Sequence, residues 1–193
     1  AMAECPNIEQ VLVVDSDSSS LPKGMVSYSQ AIESLPSIPI NEQLLGHSML
    51  YSSGTTGRPK GIIRPLSGHA PDNVLPVFQF LEGILGYRDD MVYLSPAPLY
   101  HSAPQAAINL AIRRGATVVI MERFDPAEYL RLVEHYQVSH SQLVPTMFSR
   151  MLKLSVQERQ QYDLSSMEFA GHAAAPCPEI IKRQMIDWWG PII

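Results

Sequence analysis

The chain has 193 residues, 46% of them hydrophobic and 17% charged, with a formal net charge of −5. That is enough apolar material for one sizeable core or two small lobes sharing one, and it excludes an intrinsically disordered chain. No long basic run exists to bind nucleic acid, and no apolar stretch approaches the about 20 residues of a membrane-spanning helix.

In chain order, Ile8–Val14 is a short apolar run that reads as a buried strand, and the turn-rich residues 16–24 read as a loop. Tyr28–Leu35 reads as a short helix, broken by Pro36 and Pro39. His47–Tyr51 reads as a strand running into the glycine-rich stretch 52–60, and Gly61–Arg64 resumes extended structure. Asn73–Leu85 is mostly apolar and reads as a helix.

The second half is more regular. Met91–Ser95 and Ala116–Met121 read as strands, separated by a proline-rich turn and a helix over His101–Arg114. Asp125–Gln137 carries the clearest helix signals: Asp125 as cap, Pro126 in the first turn and Glu128 as the return partner of a capping box. Its Tyr129, Leu130, Val133 and Tyr136 fall on one face. Val138–Val144 reads as a strand and Pro145–Leu154 as a helix, and Ser155 with Glu158 forms a second capping box. Met167–Ala175 reads as a strand, and Pro178–Trp189 as a helix with Ile181, Met185 and Trp188 aligned. Strands alternating with helices predict an α/β fold, with a mainly parallel sheet flanked by helices.

The string Tyr51-Ser52-Ser53-Gly54-Thr55-Thr56-Gly57-Arg58-Pro59-Lys60-Gly61 carries the chemistry. Gly54 and Gly57 allow backbone N–H groups to turn toward an anion, and Ser52, Ser53, Thr55 and Thr56 add hydroxyl donors. Lys60 can meet a terminal phosphate as a point charge. The string is not a Walker A loop, because Lys60 follows Pro59 and precedes Gly61 rather than Ser or Thr. Read alone, a Gly/Ser/Thr run is more often an ordinary polar loop. His101, at the start of its helix, is equally a helix cap or a ligand contact. Four other histidines (His47, His69, His135 and His140) read as surface or structural groups. Cys5 and Cys177 match no metal-ligand spacing and read as reduced cytosolic thiols. The N-terminus has no basic patch followed by an apolar core, so no secretory signal is expected.

The whole string resembles the phosphate-loop signature of the adenylate-forming (AMP-binding) superfamily, which includes acyl- and aryl-CoA synthetases, peptide-synthetase adenylation domains and beetle luciferases. The similarity runs from about Gly46 to the C-terminus. Pro98-Leu99-Tyr100-His101-Ser102 resembles that family's acyl-pocket motif, which implies substrate contacts at Tyr100, His101 and Ser102, with His101 beside the carboxylate. His172-Ala173-Ala174-Ala175-Pro176 resembles the adenine-side segment, matching at Ala174, Ala175 and Pro176, with Ala173 where Gly is usual. Small residues there suit close strand–helix packing equally well. The resemblance implies ATP on Ser52–Gly57, Lys60 and Ala174–Pro176, Mg2+ at Thr55, and coenzyme A as the second substrate.

The resemblance is nearest the acyl-CoA synthetase branch. It implies activation of a carboxylic acid, with a fatty acid expected, as the acyl-adenylate, then transfer to CoA in the cytoplasm. Rival readings are a peptide-synthetase adenylation domain, disfavoured because no carboxylate lies near His101, and a non-catalytic nucleotide-binding module. The family's Tyr-Gly-x-Thr-Glu string and the Lys of its lid do not occur in these 193 residues. The expectation is therefore an internal piece, 1–193, of the large N-terminal domain, inactive by itself. Three further expectations concern geometry: the loop Ser52–Lys60 joins two strands, Gly54–Arg58 is mobile without nucleotide, and Thr55, Lys60, His101 and Ala175 line one cleft. The strands ending near Tyr51, Ser95 and Ala175 should then run the same way.

Overall fold

The computed structural model describes residues 5–14, 20–51, 57–74 and 76–193. The chain divides into two units, Ala1–Leu45 with Ser67–Pro71, and Gly46–Leu66 with Asp72–Ile193.

In the first unit, β1 (Val11–Val13) and β2 (Met25–Ser27) pair in parallel, and α1 (Tyr28–Glu33) follows directly. The apolar run around β1 is not buried as its composition predicts: Leu12 and Val14 are exposed. Two three-residue strands and a six-residue helix offer too little surface to cover both sides of β1.

The second unit holds a four-stranded parallel sheet in the order β6 (Thr117–Ile120), β5 (Val92–Ser95), β7 (His140–Leu143), β8 (Phe169–His172). The helices α3 (Ser102–Arg113), α4 (Pro126–Tyr136), and α5 (Pro145–Met151) with α6 (Val156–Arg159) make the successive crossovers. The helix α7 (Glu179–Trp189) follows β8. This is the α/β architecture predicted from the alternation of elements.

Side chains on a strand alternate between faces, and β5 shows why the sheet carries two cores. Tyr93 joins Tyr87, Met91, Ile108 and Leu110, and the apolar side chains of α2 (Pro76–Leu85) pack against this group. Leu94 joins Tyr129, Leu130, Val133, Phe148, Met151 and Met185 on the other side. Helices therefore cover both faces, as a parallel sheet requires.

Local signals set most boundaries. The Asp125 carboxylate accepts from the Glu128 N–H at 2.9 Å, and Pro126 occupies the first turn of α4. The predicted return bond of Glu128 is not made. Its carboxylate instead takes two 2.7 Å bonds from Arg131, one turn along, where a charged donor outcompetes a backbone amide. The Ser155–Glu158 box closes in both directions. On α4 the buried set is Tyr129, Leu130, Leu132 and Val133, whereas the predicted Tyr136 is half exposed at the frayed last turn. On α7, Met185 is buried, and Ile181 and Trp188 pack against the same core. The strand expected over Met167–Ala175 spans only Phe169–His172, since Ala174 has φ 72°, which no β-strand adopts.

Replacing Asp125 by Ala is expected to cost about 1 kcal/mol, the ordinary value of a lost N-cap. A urea melt comparing the two proteins checks this. A midpoint unchanged within error would mean that Pro126 alone fixes the helix start.

Candidate active site

The parallel strands place the site. From β5 the chain moves outward to β6, then returns to add β7 on the opposite side of β5. The crossovers that leave β5 and β7 run in opposite directions, so a crevice opens beyond the C-terminal ends of these two strands. Ser95 ends β5, Pro96 and Pro98 stop further sheet pairing, and His101 becomes the N-cap of α3. Its backbone is extended (φ −86°, ψ 145°), and its N–H donates to the Pro98 carbonyl at 3.2 Å. The imidazole makes no capping hydrogen bond, which removes the helix-cap reading of this side chain. It packs instead against the Tyr100 ring, centroid to centroid 4.5 Å.

The phosphate-loop string begins on a hairpin. β3 (Leu50–Tyr51) pairs antiparallel with β4 (Gly61–Ile62), in the register Tyr51 to Gly61. The loop thus joins two strands, and no helix starts at Lys60, unlike a Walker fold. Both strands are shorter than their predicted spans, His47–Tyr51 and Gly61–Arg64. Ser52, Ser53, Gly54, Thr55 and Thr56 lie outside the described residues, and with them the expected mobility of the loop and the metal assignment to Thr55. Gly57 and Lys60 are described and exposed.

A cavity of about 680 Å³ lies between the hairpin approach and the start of α3. Ser48, Met49, Leu50 and Tyr51 form one wall, and Leu99, Tyr100, His101, Ser102 and Gln105 the other. Segments some fifty positions apart are thereby joined, and Tyr51, the residue before the loop, lines the same cavity as His101. The first-turn amides of α3 and its positive dipole end favour an anion here. Among the described residues no Asp, Glu, Lys or Arg lines the cavity. An anion would therefore meet imidazole, hydroxyl and amide groups without a competing carboxylate.

Of the four residues expected to share one cleft, His101 lines this cavity and Thr55 lies outside the described residues. Ala174, Ala175 and Pro176 are exposed and follow β8, which runs parallel with β5, so they leave the sheet at the same edge as Pro96–His101. They do not line the cavity, and neither does Lys60. The strand ending at Tyr51 belongs to the separate hairpin, and of the three strands expected to run the same way, β5 and β8 do so within one sheet. Gly is usual at Ala173, yet the left-handed residue is the next one, Ala174. An L-residue pays about 1–2 kcal/mol for that conformation.

Two buried polar atoms at this edge have no hydrogen-bond partner among the described residues: Ser95 Oγ, ending β5, and His172 Nδ1, ending β8. Burial first, then the charge of Lys182, lowers the pKa of His172 below the usual 6.5. Its ring packs edge-on against Phe148 at 5.7 Å. His140, read as structural, is buried in the sheet, with Nδ1 2.8 Å from Ser139 Oγ and Nε2 3.0 Å from the Gly86 carbonyl.

The lining residues Ser48, Met49, Leu50, Leu99 and Gln105 were not assigned to the site from the sequence. Only Gln105 carried a usable signal, because it stands one helical turn after His101. Two other hollows, of about 380 Å³ each, surround Arg159 and Trp188. Residues 162–167 there precede β8 and Trp188 lies in the last turn of α7, so these hollows sit by the N-terminal edge of the sheet, away from the switch point. Among the described residues no group of three or more His, Cys, Asp or Glu can hold a metal ion. Magnesium takes carboxylate and phosphate oxygens, so the described residues alone do not fit it.

Several known proteins resemble the chain. The 4-coumarate-CoA ligase 1 of Narcissus pseudonarcissus is 31% identical over 187 residues, covering 92% of this chain and 32% of that protein. The 2-succinylbenzoate–CoA ligase of Bacillus licheniformis is 35% identical over 104 residues, covering 54% of this chain and 21% of that protein. The N-terminal domain of FACL13 from Mycobacterium tuberculosis shares the fold, with TM-score 0.70, 18% identity, and coverage of 94% of this chain and 48% of that one. The chain spans about a third of the length of the ligases it matches over most of its own length. Residues 2–193 match the family described as AMP-binding enzyme. A loop string on a hairpin beside an uncapped histidine, on a parallel sheet of the same architecture, thus has its family: the chain belongs to the AMP-binding, adenylate-forming enzymes.

Proposed function

We propose that the protein bearing this chain is an ATP-dependent acid–thiol ligase of the acyl-CoA synthetase type. The observation that carries this reading is the cavity shared by Tyr51, where the phosphate loop begins, and His101. In the first step a carboxylate oxygen attacks the α-phosphorus of ATP, the bond to the β-phosphate oxygen breaks, and pyrophosphate leaves. In the second, a thiol sulfur attacks the acyl carbon, the acyl–oxygen bond breaks, AMP leaves and the thiol proton passes to solvent. His101 and the first turn of α3 would hold the carboxylate in line, a contribution of position and charge rather than of base chemistry. The loop Ser52–Lys60 would hold the triphosphate, Ala174–Pro176 would flank the adenine, and Thr55 with magnesium would complete the phosphate site.

A hydrophobic carboxylic acid suits Met49, Leu50 and Leu99, and a fatty acid is our first choice. An aromatic acid is the second reading, favoured by the rings of Tyr51 and Tyr100 in the same cavity and by relatives named as 4-coumarate and 2-succinylbenzoate ligases. An amino-acid substrate is disfavoured, since among the described residues no carboxylate lines the cavity to hold its ammonium group. Coenzyme A as thiol and a cytoplasmic setting complete the reading, and the thiols of Cys5 and Cys177, unpaired with each other, accord with it.

Acid-dependent ATP–pyrophosphate exchange by the full-length protein tests the proposal. His101→Ala is expected to raise KM for the acid about tenfold or more with little change for ATP, whereas Lys60→Ala acts on ATP. Exchange that no carboxylic acid stimulates would remove the ligase reading. Equal effects of His101→Ala on both substrates would remove the role given to His101.

A further inference from the structure

We propose that Gln105 selects, among hydrophobic acids, those bearing a hydroxyl or carbonyl oxygen about one helical turn from the carboxylate. This rests on the reading of His101 as the carboxylate contact. Both residues line the same cavity wall, and they stand four positions apart on α3, including its N-cap. Four residues of helix advance about 6 Å and come round to nearly the same face. A substrate whose carboxylate meets His101, and whose chain lies along α3, therefore brings an atom about 6 Å further on beside Gln105.

The rest of the wall sharpens the choice. Met49, Leu50 and Leu99 offer only apolar contact. The Gln105 side chain has no hydrogen-bond partner among the described residues, and Gln105 is exposed. Its backbone N–H is already used by the His101 carbonyl at 3.2 Å, so the side-chain amide is the group left for a ligand. An amide both donates and accepts, so it serves a hydroxyl or a carbonyl alike. It offers no charge, and a second carboxylate on the substrate would gain no ion pair in this cavity. A site built to hydrogen-bond a substrate oxygen discriminates against the analogue lacking it far better than an apolar pocket discriminates one methylene.

The test compares matched acids in ATP–pyrophosphate exchange by the full-length protein. One pair is 6-hydroxydecanoate and decanoate, in which the oxygen lies about five or six bonds along the chain, near one turn of helix. The other is 4-hydroxycinnamate and cinnamate. The ratio of kcat/KM for the oxygenated over the plain acid is expected to favour the oxygenated member of at least one pair. Gln105→Leu should bring that ratio down about tenfold, mostly by weakening the oxygenated acid, with KM for ATP unchanged. Gln105→Asn, which keeps the amide on a shorter arm, should retain part of the preference. Gln105 is exposed, so neither variant disturbs a core. A ratio that Gln105→Leu leaves unaltered, or an equal loss on both members of each pair, overturns the role of Gln105. Exchange with no acid at all would instead sink the ligase reading beneath it, so the two failures are told apart.

Discussion

Replacing Phe148 by Ala is expected to lower stability by about 3–5 kcal/mol, the usual range for a fully buried aromatic side chain. Phe148 is completely buried on α5. Its ring meets Trp189 of α7 edge-on at 6.1 Å and His172 of β8 at 5.7 Å. Trp189 in turn stacks on Tyr129 of α4 at 6.1 Å. One ring thus joins a strand and two helices, and through Trp189 a third helix, so the surroundings cannot close the space by moving a single side chain. A loss of that size would lower the melting temperature by roughly 6–20 °C in a domain of this length. Urea unfolding followed by tryptophan fluorescence measures it. A loss under about 1 kcal/mol would mean that α7 collapses onto β8, and that the packing described for this face is looser than its geometry.

The second large effect concerns His140. Replacing it by Ala is expected to cost about 2–4 kcal/mol, because the change both opens a hole and leaves the Gly86 carbonyl without its partner. Gly86 sits at φ 65°, and a Cβ there would stand 3.7 Å from His140 Nε2, so this turn is shaped to bring its carbonyl to the imidazole. Burial is the main cause that lowers the His140 pKa below 6.5. The Gly86 bond and Glu168 oppose the shift, and Arg88 adds to it.

The folded state therefore keeps His140 neutral at a pH where the unfolded chain already binds a proton. Stability from this group is complete above about pH 6.5 and is lost as pH falls from there toward the lower folded value. His172, shifted the same way, adds to the same window. Glu168 acts in another. Its bond to Arg88 holds its pKa below 4.5, so its share is lost only as pH falls below about 4.5. His140→Gln should consequently flatten the pH dependence of stability between about pH 7 and 5 and leave the decline below about pH 4.5. Denaturant melts across that range would check it. An undiminished slope near pH 6 in the variant would assign the titration to another group.

By itself the sequence determined the elements and their type. The Asp125-Pro126 pair, the Ser155–Glu158 box and the β-branched run at Val118–Ile120 act over a few residues, so their consequences can be read without knowing what lies across the molecule. The family was legible for a similar reason, because a phosphate-binding string is a local device whose residue types and order suffice to recognise it.

What only the tertiary structure decided depends on partners distant in the chain. Ile8–Val14 is apolar, yet burial needs covering surface, and β1 has little. Glu128 had a capping bond within reach and gave it up to Arg131. The strand expected to run on to Ala175 stops at His172: the Ala173 N–H still donates to the Leu143 carbonyl at 3.3 Å, on the neighbouring strand, and Ala174 then turns left-handed. His101 could be a cap or a contact until its helix showed a backbone cap with the imidazole uncommitted. Above all, the strand order β6-β5-β7-β8 is written nowhere in local composition. It follows from which faces of four strands and their helices can be buried together. That order puts the end of β5 at the switch point and so chooses which edge of the sheet receives the chemistry.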